Sequence, residues 1–238
     1  MAAIPPIRTK FFYGWIVVAV AFVSMGIAVN TRTAFSLLYP PILDEFGWER
    51  GATAGAFSLG FLASTAAVPV IGMMIDRHGP RLVLPLAGLL MAVGLIGVTF
   101  VTTPLQFSLT IGLLTVGGSM PLTYIGHSMF LPNWFVRYRG LAIGIAFSGV
   151  GVGSIRLLPR RQAVIEASGW RAACEIMAVL CALLIPLNFL LQRKGPEAMG
   201  LLPDGDAARE AHQSAPSTVV DKEWADRDWT LADRKSVV

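Results

Sequence analysis

Residues 82–136 contain no Asp, Glu, Lys or Arg. A bilayer is crossed by about 20 apolar residues, so this run is far too long for a single membrane helix. Thr102-Thr103-Pro104 divides it, because proline favours a helix start and the residue before a proline disfavours helix. Two spans are therefore expected, at 82–102 and 104–131. Residues 51–75 form a further uncharged run of spanning length. Charged residues make up 14% of the chain, hydrophobic residues 54%, and the mean hydropathy is +0.62. Soluble domains run near one quarter charged. The fold class this dictates is an all-α, polytopic membrane protein.

The remaining spans follow in order. Phe11-Phe12-Tyr13-Gly14-Trp15 opens the first apolar run with an aromatic cluster suited to headgroup level. The first span is placed at 13–38, with Arg32 inside its far half. Asp44, Glu45, Glu49 and Arg50 are read as a loop, and the second span as 52–75. After Arg137 and Arg139 the fifth span begins near Gly140, meets Arg156, Arg160 and Arg161, and turns at Gly169-Trp170-Arg171. The sixth is placed at 172–191. Residues 1–12 are then an N-terminal tail, 13–191 a six-helix bundle, and 192–238 a soluble, largely disordered tail or linker in which Trp224 and Trp229 mark either a short amphipathic helix or loose membrane anchors.

Basic residues set the orientation. With the N-terminus inside, the cytoplasmic segments hold Arg8, Lys10, Arg77, Arg81, Arg137, Arg139, Arg193 and Lys194, outnumbering the basic residues of the outer loops. Both termini are therefore expected in the cytoplasm. The net charge of +4 reflects this loop pattern and implies no nucleic-acid partner. No cleavable signal peptide is expected, because the first apolar run is too long and no small-residue cleavage site follows it. Cys174 and Cys181 lie on one helix face about 10 Å apart along the axis, too far for a mutual disulfide. No metal-ligand cluster, nucleophile–base pair or phosphate-cradling loop is legible, so neither a cofactor nor an enzyme is expected.

Between the second and third spans lies Gly72-Met-Met-Ile-Asp76-Arg77-His78-Gly79-Pro80-Arg81. Gly79 suits a chain reversal at positive φ, and Gly72 a close helix approach. Gly72, Asp76, Arg77, Gly79 and Arg81 together resemble the loop signature of the major facilitator superfamily of secondary transporters. Tyr13-Gly14-Trp15, Pro40-Pro41 through Trp48, Trp134-Phe135 with Arg139-Gly140-Leu141-Ala142, and Gly200 through Gly205 resemble bacterial members near the monocarboxylate and oxalate/formate-type carriers.

The resemblance implies two six-helix halves with a small carboxylate held between them, often with protons, and alternating access by rocking of the halves. It makes this chain an N-terminal half, with Asp76 and Arg81 in a conformational latch whose partner lies in the second half. The chain departs from drug-antiporter members. Its fourth span lacks an arginine and Gly149-Val-Gly-Val-Gly153 lacks a proline. It also departs from the family where Arg156, Arg160 and Arg161 interrupt an apolar span, at a cost of about 2.5–3.5 kcal/mol for an arginine at mid-helix. That departure requires those residues to lie outside or line water, or marks a local irregularity of the sequence.

Arg32 is the main substrate-binding candidate, because an intramembrane guanidinium pairs with a carboxylate through two parallel hydrogen bonds. The alternative is that it snorkels to the interface. Asn30, Thr31 and Thr33 flank it, lining the same cavity or capping a helix break. His127 is the proton-coupling candidate, with helix packing as the alternative, and Tyr124 lies one turn away as a further substrate contact. Gly144, Gly149, Gly151 and Gly153, with Ser148 and Ser154, give the fifth span a small-residue face for close packing or a moving seam. The expected function is secondary transport of a small organic anion across the plasma membrane, completed by a second half or by a second copy of the chain. The alternative is a membrane interaction protein without transport.

Overall fold

The computed structural model describes residues 12–205. Arg8, Lys10, Trp224 and Trp229 lie outside the described residues. Among those described, five helical stretches are long and apolar enough to cross a membrane: Gly14–Phe46, Thr53–His78, Pro80–Val98, Pro104–Trp134 and Arg139–Leu191. The chain is a multi-pass, helical membrane protein.

The first stretch is two helices, α1 (Gly14–Thr33) and α2 (Phe35–Phe46), joined at Ala34 by a tightened bond from Ala34 N to the Thr31 carbonyl. Val17, Ala21, Met25 and Ala28 of α1 are fully buried. The expectation of a loop containing Asp44 and Glu45 is corrected, since both lie in the last turn of α2. Gly47 ends that helix by adopting φ 63°, and its N–H reaches the Leu43 carbonyl. A left-handed glycine stops a helix more firmly than charged side chains do.

Helix α3 (Arg50–His78) and α4 (Pro80–Val98) are separated by one residue, Gly79, at φ 77° and ψ 164°. That conformation is essentially reserved for glycine. Pro80 follows at a first-turn position, where its missing N–H costs nothing.

The span expected at 104–131 is found as Pro104–Trp134, but it is not one regular helix. The stretch comprises α5 (Pro104–Phe107), π-helical turns over Ser108–Gly117, a 3-10 turn over Met120–Leu122, α6 (Tyr124–Ser128) and α7 (Leu131–Trp134). Thr103 caps its start, accepting from Gln106 N. Gly117-Gly118 and Pro121 break the centre. Ser119 and Thr123 donate their hydroxyls to the carbonyls of Val116 and Met120, each at 2.7 Å. Such local bonds compete with the helix ladder.

Helix α8 (Arg139–Leu191) is 53 residues long and would reach about 80 Å if straight. It is interrupted at Gly169, with φ 83° and ψ 169°. Gly26 packs on the Gly149 carbonyl of the first arm, while Ser24 bonds to Asn188 of the second. Both arms therefore return to the same part of α1, and α8 is a hairpin. The glycine face of its first arm divides by use. A Cβ at Gly153 would lie 2.5 Å from the Gly26 carbonyl, and one at Gly149 would strike the Phe22 backbone. Gly144 and Gly151 face open space.

The first part of the segment expected to be a largely disordered tail or linker is ordered, through Asp204. Gln192 is fully buried, Trp134 Nε1 donates to the Arg193 carbonyl at 3.1 Å, and Asn133 Nδ2 donates to that of Lys194 at 3.2 Å. Asp204 accepts from the N–H groups of Val136 and Arg137. Residues 192–204 strap one end of the bundle: α7 side chains donate to their carbonyls, and Asp204 accepts from the backbone N–H groups between α7 and α8.

Candidate functional site

Arg32 stands in the last turn of α1 and is only 8% exposed. Its guanidinium carbon lies 4.4 Å above the ring centre of Phe61 on α3. Its Nη1 is 3.7 Å from the Met120 sulfur, at the break in the fourth stretch. The guanidinium is turned inward onto these two groups. Among the described residues the ion pairs join Glu45 to Arg171 and Asp76 to Lys194, so no carboxylate pairs with Arg32. A ring face and a thioether compensate a buried cation weakly compared with an oxygen anion.

The Met120 sulfur also receives the Thr123 hydroxyl at 3.6 Å. The Thr123 carbonyl lies 3.0 Å from Nδ1 of His127. A carbonyl only accepts, so Nδ1 carries the proton in this contact. Nε2 of the same ring is buried and has no hydrogen-bond partner. The break at 118–123 thus brings Arg32 and His127 to either side of Met120 and Thr123.

Asn30 faces the other way. Its amide donates to the carbonyls of Gly26 (2.7 Å) and Val150 (3.0 Å), and its oxygen accepts from Ser154 (2.7 Å). The side chain is fully used in holding α1 to the first arm of α8, so its expected place beside Arg32 is corrected. Two positions along a helix turn the side chain by about 200°. Thr33 bonds back to the carbonyls of Val29 and Asn30 and belongs to the helix end. Tyr124 is exposed and stands edge-on to Phe147 at 4.9 Å.

Arg161 belongs to the cluster that was expected to lie outside, to line water or to mark a local irregularity. It is 5% exposed, and its Nη1 donates to the Asn30 carbonyl at 2.8 Å. Arg156 and Arg160, by contrast, are exposed. The basic cluster is therefore accommodated in a regular helix, with one guanidinium turned inward onto a backbone acceptor.

At the Gly79 end, Lys194 Nζ donates to the Asp76 carbonyl at 2.6 Å and lies 3.8 Å from its carboxylate. Arg81 Nε donates to the Phe189 carbonyl at 2.9 Å, with the guanidinium over the Phe189 ring. Both signature residues thus have partners within this chain, on the segment that closes α8. Arg77 is exposed. The close approach expected at Gly72 is corrected: a Cβ there would meet only the end of the Met129 side chain, at 3.7 Å.

At the Gly169 end, Glu45 grips Arg171 with both oxygens, at 2.6 and 2.9 Å, and accepts from Trp170 Nε1 at 2.6 Å. Arg171 Nε also donates to the Thr99 carbonyl. This three-way contact was hidden in the sequence because Glu45 lies more than a hundred positions before Trp170 and Arg171.

A helical membrane bundle with a charged contact at each end and an unpaired buried cation between them has the anatomy of a transporter domain. The sequence matches the Major Facilitator Superfamily over residues 14–230, and the chain belongs to that family, which is one of transporters rather than enzymes. It is 31% identical to monocarboxylate transporter 11 of Mus musculus over 180 residues, covering 76% of this chain and 40% of that protein. It is 30% identical to monocarboxylate transporter 3 of Gallus gallus over 221 residues, covering 87% and 40%. Monocarboxylate transporter 12 of Rattus norvegicus is 29% identical over 222 residues, covering 90% and 45%. The chain spans less than half the length of these curated relatives.

Proposed function

We propose that this chain forms one six-crossing half of a secondary carrier for small monocarboxylate-like anions in the plasma membrane, with both ends of the bundle's chain on the cytoplasmic side. The observation that carries the reading is Arg32, a buried guanidinium resting on Phe61 and Met120 with no carboxylate partner among the described residues. An arriving carboxylate supplies the two oxygen acceptors that this cation lacks. The similarity to monocarboxylate transporters supports a monocarboxylate as the anion.

In this reading the two arms of α8 cross separately, which makes six crossings. His127 takes the coupling proton on Nε2, the buried nitrogen without a partner. Tyr124 lines the open face that the complementary half covers. That face includes exposed Leu59, Leu62 and Met73 of α3 and Leu141, Ile145 and Val152 of α8. Its apolar character suits either a second half or a second copy of the chain. The Asp76–Lys194 and Glu45–Arg171 contacts bias opposite ends of the bundle during alternating access.

The test is thermal stabilisation of the purified full chain, in nanodiscs, by a panel of small monocarboxylates. Stabilisation that disappears in Arg32→Gln is expected. Absence of stabilisation in both the monomeric and the dimeric fraction would favour a non-transporting interaction protein. His127→Gln is expected to retain binding but lose its pH dependence. Unchanged pH dependence would remove the proton role.

A further inference from the structure

A cavity of about 250 Å³ opens between the two arms of α8. Leu157 and Val164 of the first arm and Ile176 and Leu180 of the second form its apolar walls, and Arg160 and Arg161 supply its only charged lining groups. We propose that this groove binds one anionic phospholipid, with the headgroup phosphate on Arg160 and Arg161 and an acyl chain along the apolar walls.

Three observations select this ligand. First, the lining is amphiphilic. A small water-soluble anion requires polar groups around it, whereas this groove offers cations at one place and hydrocarbon everywhere else. Second, the charge is available. Arg161 uses one N–H on the Asn30 carbonyl, and a guanidinium has five. Among the described residues no carboxylate pairs with Arg156, Arg160 or Arg161. The acid on the same arm, Glu166, accepts instead from Gln162 at 2.8 Å. Third, the depth is right. Arg161 lies eight positions before Gly169, about 12 Å along the axis from the turn. The exposed side chain of Arg160, one residue deeper, can extend from there toward the headgroup layer. Basic pockets between membrane helices hold anionic headgroups by the same physics. The site is separate from Arg32, which faces α3 on the other side of α1, so the inference does not depend on the transport reading.

Native mass spectrometry of the full chain in mild detergent, with phosphatidylglycerol or phosphatidylcholine of identical acyl chains, tests it. One phosphatidylglycerol is expected to be retained in preference to phosphatidylcholine. Removal of Arg160 is expected to lower that retention by about fivefold. Arg160→Gln and the pair Arg156→Gln/Arg160→Gln leave the Arg161–Asn30 bond intact, so the test does not depend on that contact. Ile176→Trp, which fills the groove, is expected to reduce retention with all arginines in place, and Arg32→Gln to leave it unchanged. Equal retention of the two lipids, or retention unaffected by Arg156→Gln/Arg160→Gln, would overturn the proposal. Displacement of the phosphatidylglycerol by a small monocarboxylate would overturn it in favour of an ordinary anion subsite.

Discussion

Two arginines are buried in this bundle, and α1 stands between them. Arg161 is anchored: its guanidinium donates to a backbone carbonyl of α1, at a junction already fixed by Asn30, Ser154 and two close-packed glycines. Arg32 is held loosely, by a ring face and a sulfur at the 3-10 turn that interrupts the fourth stretch. The same side chain, at similar burial, is structural on one side of the helix and uncommitted on the other. Burial of charge alone therefore does not mark a binding residue; the quality of its partner does.

This contrast is broken most sharply by paired substitution. Arg32→Gln is expected to lower carboxylate affinity at least about thirtyfold, since losing one member of a buried charge pair costs about 2–5 kcal/mol. Arg161→Gln, which keeps a donor toward the Asn30 carbonyl, is expected to change that affinity by less than about threefold. Isothermal titration on both variants reads the difference, and equal losses would merge the two roles. Asn30→Ala should lower stability by about 1–3 kcal/mol through its lost contacts to α8, while Arg32-dependent binding persists. A denaturation midpoint at the wild-type value would show that the anchored side is not anchored.

The glycine face sharpens the same boundary. Gly149→Ala is expected to destabilise by about 1–3 kcal/mol, because its new methyl meets the Phe22 backbone. Gly151→Ala, facing open space, should be neutral or stabilising by up to about 1 kcal/mol. Thermal melts of the two variants should therefore move in opposite directions or differ by several degrees. The smallest effect is assigned to Glu45→Gln. Its ion pair is partly exposed, so the loss should stay below about 1 kcal/mol and shrink as salt is raised.

The sequence makes some of this arrangement readable and conceals the rest for definable reasons. Gly79 and Gly169 stood out because a chain reversal between apolar runs needs a residue free to take positive φ, and both do. The break over 118–123 was foreshadowed by Gly117-Gly118 and Pro121 but outweighed by the length of the uncharged run. Asn30 was grouped with Arg32 by adjacency, although residues two apart on a helix look in different directions. Arg161 looked like an interruption of an apolar span because its acceptor, a backbone carbonyl on another helix, leaves no trace in the sequence. Gly72 was assigned a close helix approach, yet a Cβ there would meet only the end of the Met129 side chain. The strap at 192–204 was missed because a polar segment held by such bonds has the composition of a loose tail.

The central claim is that Arg32 carries an uncommitted positive charge available to a carboxylate. The most direct test is titration of the wild-type chain with a monocarboxylate and with the neutral amide of the same carbon skeleton. The account predicts a preference for the carboxylate of about tenfold or more, abolished by Arg32→Gln. Equal affinity for the two compounds, or a preference that survives Arg32→Gln, would contradict it.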